Sequence, residues 1–420
     1  MERILIQSAI LNGRTVNILI EGAHIIYIGN AMPPDPGQII NAGGKAVIPG
    51  FVNLHNHAAM TLLRGCGDDM PLMRWLEERI WPIEARLQPN DVYWGARLAC
   101  LEMIKSGTTT FVDSYHYMND TAAAVSESGL RAMLACACFD HFSSDKAEDS
   151  KALISSLYHE TNRREERIAY AVAPHAIYTV SGQTLKWINQ WTAERQLMIH
   201  LHLAETETEV AFSIERFGCT PVRYLDSLGL LSPRLLIAHG LYIDNEEIRM
   251  LADNGVSVAH NPASNMKLAS GHEFRFTEMR RAGIRVGIGT DGCSSSNNLD
   301  MLEAMKLASL LGKAWRKDPE ALSAPEVFEA ATSQGAAILG IRAGRIEEGY
   351  LADLCLVDLN IPAFTPNHNF ISNLVYAANG SCIDTVICNG RILMLNRHVH
   401  GEEEILRNAA RCAERIVNGK

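Results

Sequence analysis

The chain has 420 residues, 47% of them hydrophobic, ten cysteines and a formal net charge of −10. That length and apolar content suit one large α/β domain with a smaller companion, and the acidic balance excludes a general nucleic-acid surface, which needs clustered Lys and Arg. No run approaches the roughly 20 apolar residues of a membrane span, and the start MERILIQSAILNG lacks the basic-then-apolar form of a secretory leader.

The first 45 residues read as short strands, RILIQSAI, TVNILIEG and AHIIYIGN, broken by Asn-Gly or Gly turns. The texture changes near Ala46. From there eight apolar runs alternate with helical stretches: VIPGFVNLH, TTTFVD, RAMLACA, IAYAVAP, LMIHLH, LLIAH, VSVAHN and VGIGTD. Runs of nearly unbroken apolar character suit strands buried on both faces of a parallel sheet. Helices are expected between them, opening at Asp120, at Ser181 and at Asp244, the last with Glu247 completing a capping box and Gly255 past the end. Eight such units predict an α/β fold of the (β/α)8 TIM-barrel type. A late helix, SAPEVFEAATSQGAAILG, is capped by Ser323. After Leu351 the strand texture returns in LADLCLVDL, CIDTVICNG and RILMLN, with a turn at Asn389-Gly390, before a tail that reads as a surface helix. Both chain ends are therefore expected to pair into one small sheet domain, giving segments 1–48 and 351–420 around a barrel at 49–350. Cysteines such as Cys136 and Cys138 sit in apolar runs, and no CxxC pair occurs, so packed thiols and a reducing cytoplasm are expected.

Functional groups of such barrels lie at the C-terminal ends of the strands. The first run ends in His55 and His57, whose i, i+2 spacing points both imidazoles to one side of a strand. The fifth ends in His200 and His202, with His202 nearer the end and favoured as a ligand. The sixth ends at His239 and the eighth at Asp291. Three imidazoles and a carboxylate suit one divalent ion per chain, Zn²⁺ first, with Fe²⁺ or Mn²⁺ also compatible. Such an ion lowers the pKa of a bound water to about 7. Glu205, three residues beyond His202, is placed to protonate a ring nitrogen of a substrate. Asp291 can take the water's proton, and His239 can orient the water or stabilise developing charge. The fourth strand end carries no lysine that could bridge two metals. His175 stands there instead, either against substrate or as a structural histidine.

The segments PGFVNLHNH, SGTTTFVD, APHAIYT, HLHLAETETE, HNPASNMKLASG, GTDG and GRIEEGYLADL together resemble the amidohydrolase superfamily, and most closely its methylthioadenosine/S-adenosylhomocysteine deaminase branch. The resemblance implies a distorted (β/α)8 barrel with a small β-sandwich built from both termini. It implies metal ligands at His55, His57, His202 and Asp291, a proton shuttle at Glu205 and a strand-six histidine at His239. In MRWLEERIWPIEARL it implies that Trp75 packs on the substrate and that Glu84 accepts hydrogen bonds from ribose hydroxyls, while His175 contacts the base. It further implies a nucleoside substrate deaminated at C6 and, in common with the family, a homo-oligomer. The segment CFDHFSSDKAEDSK offers only lysines among acids, whereas a homocysteine carboxylate calls for an arginine fork. Arg131 starts its strand and belongs at the opposite barrel face. Rival readings are a guanine, pterin or triazine hydrolase with the same metal machinery, or a non-catalytic metal-binding barrel.

Overall fold

A computed structural model describes residues 3–161 and 165–418, so the outermost two residues of each terminal segment lie outside the described residues. Eight strands form a parallel sheet in sequential order: β6 (Phe51–Asn56), β7 (Thr108–Tyr115), β8 (Arg131–Cys138), β9 (Ile168–Pro174), β10 (Ile199–Leu203), β11 (Leu235–His239), β12 (Ser257–His260) and β13 (Arg285–Ile288). Helices cover the outside, so β7, β10 and β11 are buried at every residue. The last strand meets the first without a regular ladder. Asn53 Nδ2 donates to Thr290 Oγ1 at 2.7 Å, the Thr290 N–H returns to Asn53 Oδ1 at 3.1 Å, and the Asp291 N–H reaches the His55 carbonyl at 3.0 Å. Gly289 is needed at this seam, because a Cβ there would stand 2.4 Å from Asn261 Oδ1 and 2.8 Å from His55 Cβ. The fold is the expected (β/α)8 barrel.

The chain ends build the second sheet: β1 (Arg3–Leu11), β2 (Arg14–Glu21), β3 (His24–Gly29), β4 (Gln38–Asn41), β5 (Lys45–Pro49), β14 (Leu354–Asp358), β15 (Ile383–Cys388) and β16 (Arg391–Met394). Its order is β16-β15-β14-β5-β1-β2-β3, with β4 beside β1. It has its own apolar core, including Ile4, Ile6, Ile18, Val47, Leu354 and Ile387. The run VIPGFVNLH is thus two strands. β5 pairs with β14, and after Gly50 the chain enters the barrel as β6. A Cβ on Gly50 would meet Thr109 Cγ2 at 2.2 Å.

Several helix boundaries differ from expectation. The helix Met118–Ser128 starts before Asp120, with Tyr117 at its cap in a left-handed conformation. The late helix breaks at Thr332 into Ala324–Ala330 and Ser333–Ile338. Segment 72–84 is helical throughout, with a wider π-turn at Leu76–Ile80 between two short α-turns. The tail helix Glu402–Asn418 packs on the barrel, where Ala409, Cys412 and Ile416 join Leu87 and Val92. The caps at Ser181 and Asp244, including the Asp244–Glu247 box, form as expected. All ten cysteines are unpaired. No helix among the described residues is long and apolar enough to cross a membrane.

Candidate active site

The carboxyl ends of β6, β10, β11 and β13 converge at one barrel mouth. Ligand atoms of His55, His57 and Asp291 lie within 4.8 Å of one another, as do those of His55, His202 and His239. Asp291 Oδ1 is 3.3 Å from His55 Nε2 and 3.2 Å from His57 Nε2, and the Nε2 atoms of His57 and His202 are 3.3 Å apart. His55 Nε2 is buried and has no hydrogen-bond partner. A buried, unpartnered lone pair facing a carboxylate and two further imidazole nitrogens fits a divalent cation.

The far side of each ring fixes what its Nε2 can do. His57 Nδ1 donates to the Ser114 carbonyl at 2.5 Å, and His202 Nδ1 donates to the His175 carbonyl at 2.8 Å. His55 Nδ1 lies 2.7 Å from His200 Nε2, while His200 Nδ1 lies 3.1 Å from the Leu236 carbonyl. That carbonyl accepts the His200 proton, which leaves His200 Nε2 to accept from His55. In the neutral form of all three rings the proton therefore sits on Nδ1, which leaves Nε2 to bind a metal. His239 is the opposite case. Asn265 Nδ2 donates to His239 Nδ1 at 2.8 Å, which leaves the proton of the neutral ring on Nε2. This Nε2 is 3.7 Å from Glu205 Oε2. It can donate a hydrogen bond into the site but cannot, in that form, act as a ligand.

Burial sets the electrostatics. It lowers His55 to about 4 despite Asp291, and it lowers His175 to about 3. At His57 burial also works downward, but the hydrogen bond and charge of Asp291 overcome it and hold the ring at about 9. Burial works to raise Asp291, yet the facing rings of His55 and His57 keep it well below the usual carboxylate range. Glu205 is pushed up, chiefly by burial, as suits a group that must carry a proton near neutral pH. Ser270 Oγ donates to Glu205 Oε1 at 3.2 Å and fixes one face of the carboxyl.

Above these groups opens a cavity. His57, His202, Glu205, His239 and Asp291 form part of its lining, and Trp75, Glu84 and His175 lie on its walls. His55 lies beneath, fully buried. Trp75 is buried, and Glu84 is half-buried and accepts a 2.6 Å hydrogen bond from Tyr115 Oη. An adjoining chamber shares Trp81, Glu84, Tyr115, His116, Ala137 and Phe139 with it. Among the described residues, no Lys or Arg lines either space. Arg131 is at the barrel floor, paired with Asp353 at 3.0 Å.

Residues 46–393 match the model of the Amidohydrolase family. The chain belongs to that family. It is 48% identical over 380 residues to a 5′-deoxyadenosine deaminase of Methanoregula boonei, covering 90% of this chain and 86% of the relative. It is 46% identical over 420 residues to 5-methylthioadenosine/S-adenosylhomocysteine deaminase 1 of Archaeoglobus fulgidus, covering 99% and 98%. An adenosine deaminase from Xanthomonas campestris, crystallised with bound zinc, superposes with a TM-score of 0.93 at 34% identity, over 99% of this chain and 98% of that one.

This amidohydrolase brings His55, His57, Trp75, Glu84, His175, His202, Glu205, His239 and Asp291 to one mouth. Sequence reasoning missed the residues that hold them: Asn53, Ser114, Tyr115, Asn265 and Ser270. Tyr115 ends a strand only two residues past the quoted TTTFVD run, and Asn265 and Ser270 lie within HNPASNMKLASG, so position was the available signal.

Proposed function

We propose that this protein is a metal-dependent aminohydrolase that replaces the 6-amino group of an adenine nucleoside with oxygen and releases ammonia. The observation that carries the reading is one cavity with metal-ready imidazoles at its floor and the Glu84 carboxylate on its wall. Its relatives' names agree with it.

His55, His57, His202 and Asp291 would hold the ion, and zinc is the first choice for that donor set. A bound divalent ion supplies a water acidified to a pKa of about 7. Asp291 takes a proton from the attacking water and passes it to the amino group as the C6–N bond breaks, so that the group leaves as ammonia. Glu205 gives a proton to the ring nitrogen next to C6, so that negative charge does not build up on the ring. The His239 Nε2–H donates a hydrogen bond to the oxygen arriving at C6. Trp75 packs against the base, and His175 faces it from the fourth strand end. Glu84 accepts from the ribose hydroxyls with the lone pairs that Tyr115 leaves free. With no Lys or Arg lining the adjoining chamber among the described residues, a small or apolar 5′ group is favoured over a homocysteine carboxylate.

Ammonia release measured from adenosine, 5′-deoxyadenosine, methylthioadenosine, S-adenosylhomocysteine, free adenine and guanine tests this. The adenine nucleosides should give the highest kcat/KM, and S-adenosylhomocysteine should have no advantage over methylthioadenosine. Free bases or pterins as the best substrates would overturn the nucleoside reading.

A further inference from the structure

Strand β10 ends at Leu203, and the helix Glu207–Phe217 begins four residues later. Between them Ala204 adopts a φ of +52°, in the left-handed region that side chains disfavour. This turn aims Glu205 into the cavity. Glu209, in the first turn of the helix, is buried at 3% exposure. Its two carboxylate oxygens accept from the backbone N–H groups of Ala204, at 3.0 Å, and Glu205, at 2.9 Å. In an ordinary capping box the third helical residue reaches back to the cap residue, here Thr206. Glu209 reaches past it to the two residues before. Thr206 Oγ1 meanwhile accepts from the Glu209 N–H at 3.1 Å, which locks the helix start around the carboxylate. On the other side of the peptide, the Ala204 carbonyl accepts from the N–H groups of Leu241 and Tyr242 at 2.9 and 3.0 Å. Glu209 forms no ion pair among the described residues. A buried carboxylate without a cation is costly, and here the two amides of the turn hold its oxygens.

We propose that Glu209 is a positioning residue for the reaction: it clamps the left-handed turn at Ala204–Glu205 and so fixes the direction in which Glu205 presents its carboxyl. Ser270 and the ring of His239 meet Glu205 only at its tip, whereas Glu209 holds its backbone. With the clamp weakened, the turn relaxes toward extended backbone and the carboxyl swings from its place beside the reacting ring nitrogen. The metal ligands sit on other residues and remain where they are.

The inference rests on Glu205 as the proton donor, so Glu205→Gln is made alongside Glu209→Gln, and all are assayed as metal-loaded enzyme. Glutamine at 209 keeps the shape but accepts through one oxygen and turns an N–H₂ against the second amide. Displacements of about 1 Å cost on the order of 10²-fold. The expected result for Glu209→Gln is a kcat lower by roughly 10- to 100-fold, with KM within about twofold and unchanged metal content. Adding Ala204→Gly should recover part of the loss, because glycine holds a positive φ without the clamp. If Glu209→Gln does not accumulate as folded protein, Glu209→Asp, charged but one methylene short, reads the same kcat-against-KM split. A kcat within about twofold of wild type, a fall in metal content matching the fall in kcat, or a double variant no better than the single one overturns the proposal. Full activity in Glu205→Gln defeats the premise instead. Inactive Glu205→Gln with fully active Glu209→Gln defeats only the clamp.

Discussion

The partner of Nδ1 separates His239 from the other imidazoles at the mouth. His55, His57 and His202 each donate a hydrogen bond from Nδ1 and, when neutral, keep an open Nε2, while His239 accepts a hydrogen bond at Nδ1 from Asn265 and keeps Nε2–H. Glu205 and Asp291 divide in the same manner, one carboxyl raised by burial and the other held ionised by two histidines. Glu205→Gln should therefore lower kcat by about 10²–10⁴-fold while metal analysis still finds one ion per chain. Asp291→Asn should lose activity and metal together, since it removes a ligand charge. Near-normal kcat in the first variant would move the proton transfer elsewhere. Glu84→Ala should slow ribonucleosides and leave free adenine nearly unaffected, narrowing the gap in kcat/KM between them, because only the sugar hydroxyls lose their acceptor. An equal fall for both would show that Glu84 shapes the cavity rather than reads the sugar. These residues were legible because strand ends combine a period of two with a chemical class. The Nδ1 partners were not, because Ser114 and Asn265 join the rings across dozens of residues, where no local pattern operates.

At the level of elements, the mouth is built from strand ends that turn sharply. Ala204, His239 and Asp291, each at or just past the end of its strand, have φ of +52°, +74° and +61°. Such conformations cost of order 1–3 kcal/mol each and persist where surrounding contacts over-determine them. Here those contacts include the bond from the Asp291 N–H to the His55 carbonyl and that from the Gly240 N–H to the Leu203 carbonyl. The apolar runs revealed the strands, but not the split of VIPGFVNLH, which depends on two different neighbours, β14 and β7. Nor did the tail announce its partner. Arg86 donates to the Ile416 carbonyl at 2.9 Å, and Arg415 bonds to Asp91 and to the Arg86 carbonyl. The tail helix thereby braces the segment just after Glu84. Ile416 is fully buried in this seam. Ile416→Ala should cost roughly 2–5 kcal/mol in urea unfolding. It should also raise KM for nucleosides more than it lowers kcat, since Glu84 loosens while the floor of the site stays intact. An unchanged unfolding midpoint would show that the helix rests only lightly on the barrel.

Across the whole molecule, chemistry and support lie at opposite ends of the barrel. Arg131 and Asp353 tie the floor to the terminal sheet, far from the ligands, so conditions acting at the mouth should read out mainly through metal binding. His57 gives that readout a sign. Before an ion binds, burial works against the charged ring but Asp291 holds it at about 9, against 6.5 for an ordinary histidine. A pKa raised on folding contributes stability that is complete below about 6.5 and disappears as pH rises through 9. The metal-free protein should therefore lose stability across that window. The other strongly shifted ligand imidazoles, His55 and His202, are lowered, so their pH dependence falls below 6.5 and, of these ligand rings, His57 alone titrates across the window. Metal binding runs the other way. The ion needs His57 neutral at Nε2, so binding near pH 7 displaces a proton, and affinity should rise about tenfold per pH unit until the ring is already deprotonated. A ligand present at 1,000 times its Kd stabilises a fold by about 4 kcal/mol, and each tenfold gain in affinity adds about 1.4 kcal/mol. The difference in Tm between metal-loaded and chelator-treated protein should widen steadily from pH 6.5 to 8.5 at fixed free metal. Calorimetry in buffers of different ionisation enthalpy should find close to one proton released per ion at pH 7. A constant or narrowing difference, with no proton release, would mean that His57 is neutral before the metal arrives and that Asp291 does not hold its proton.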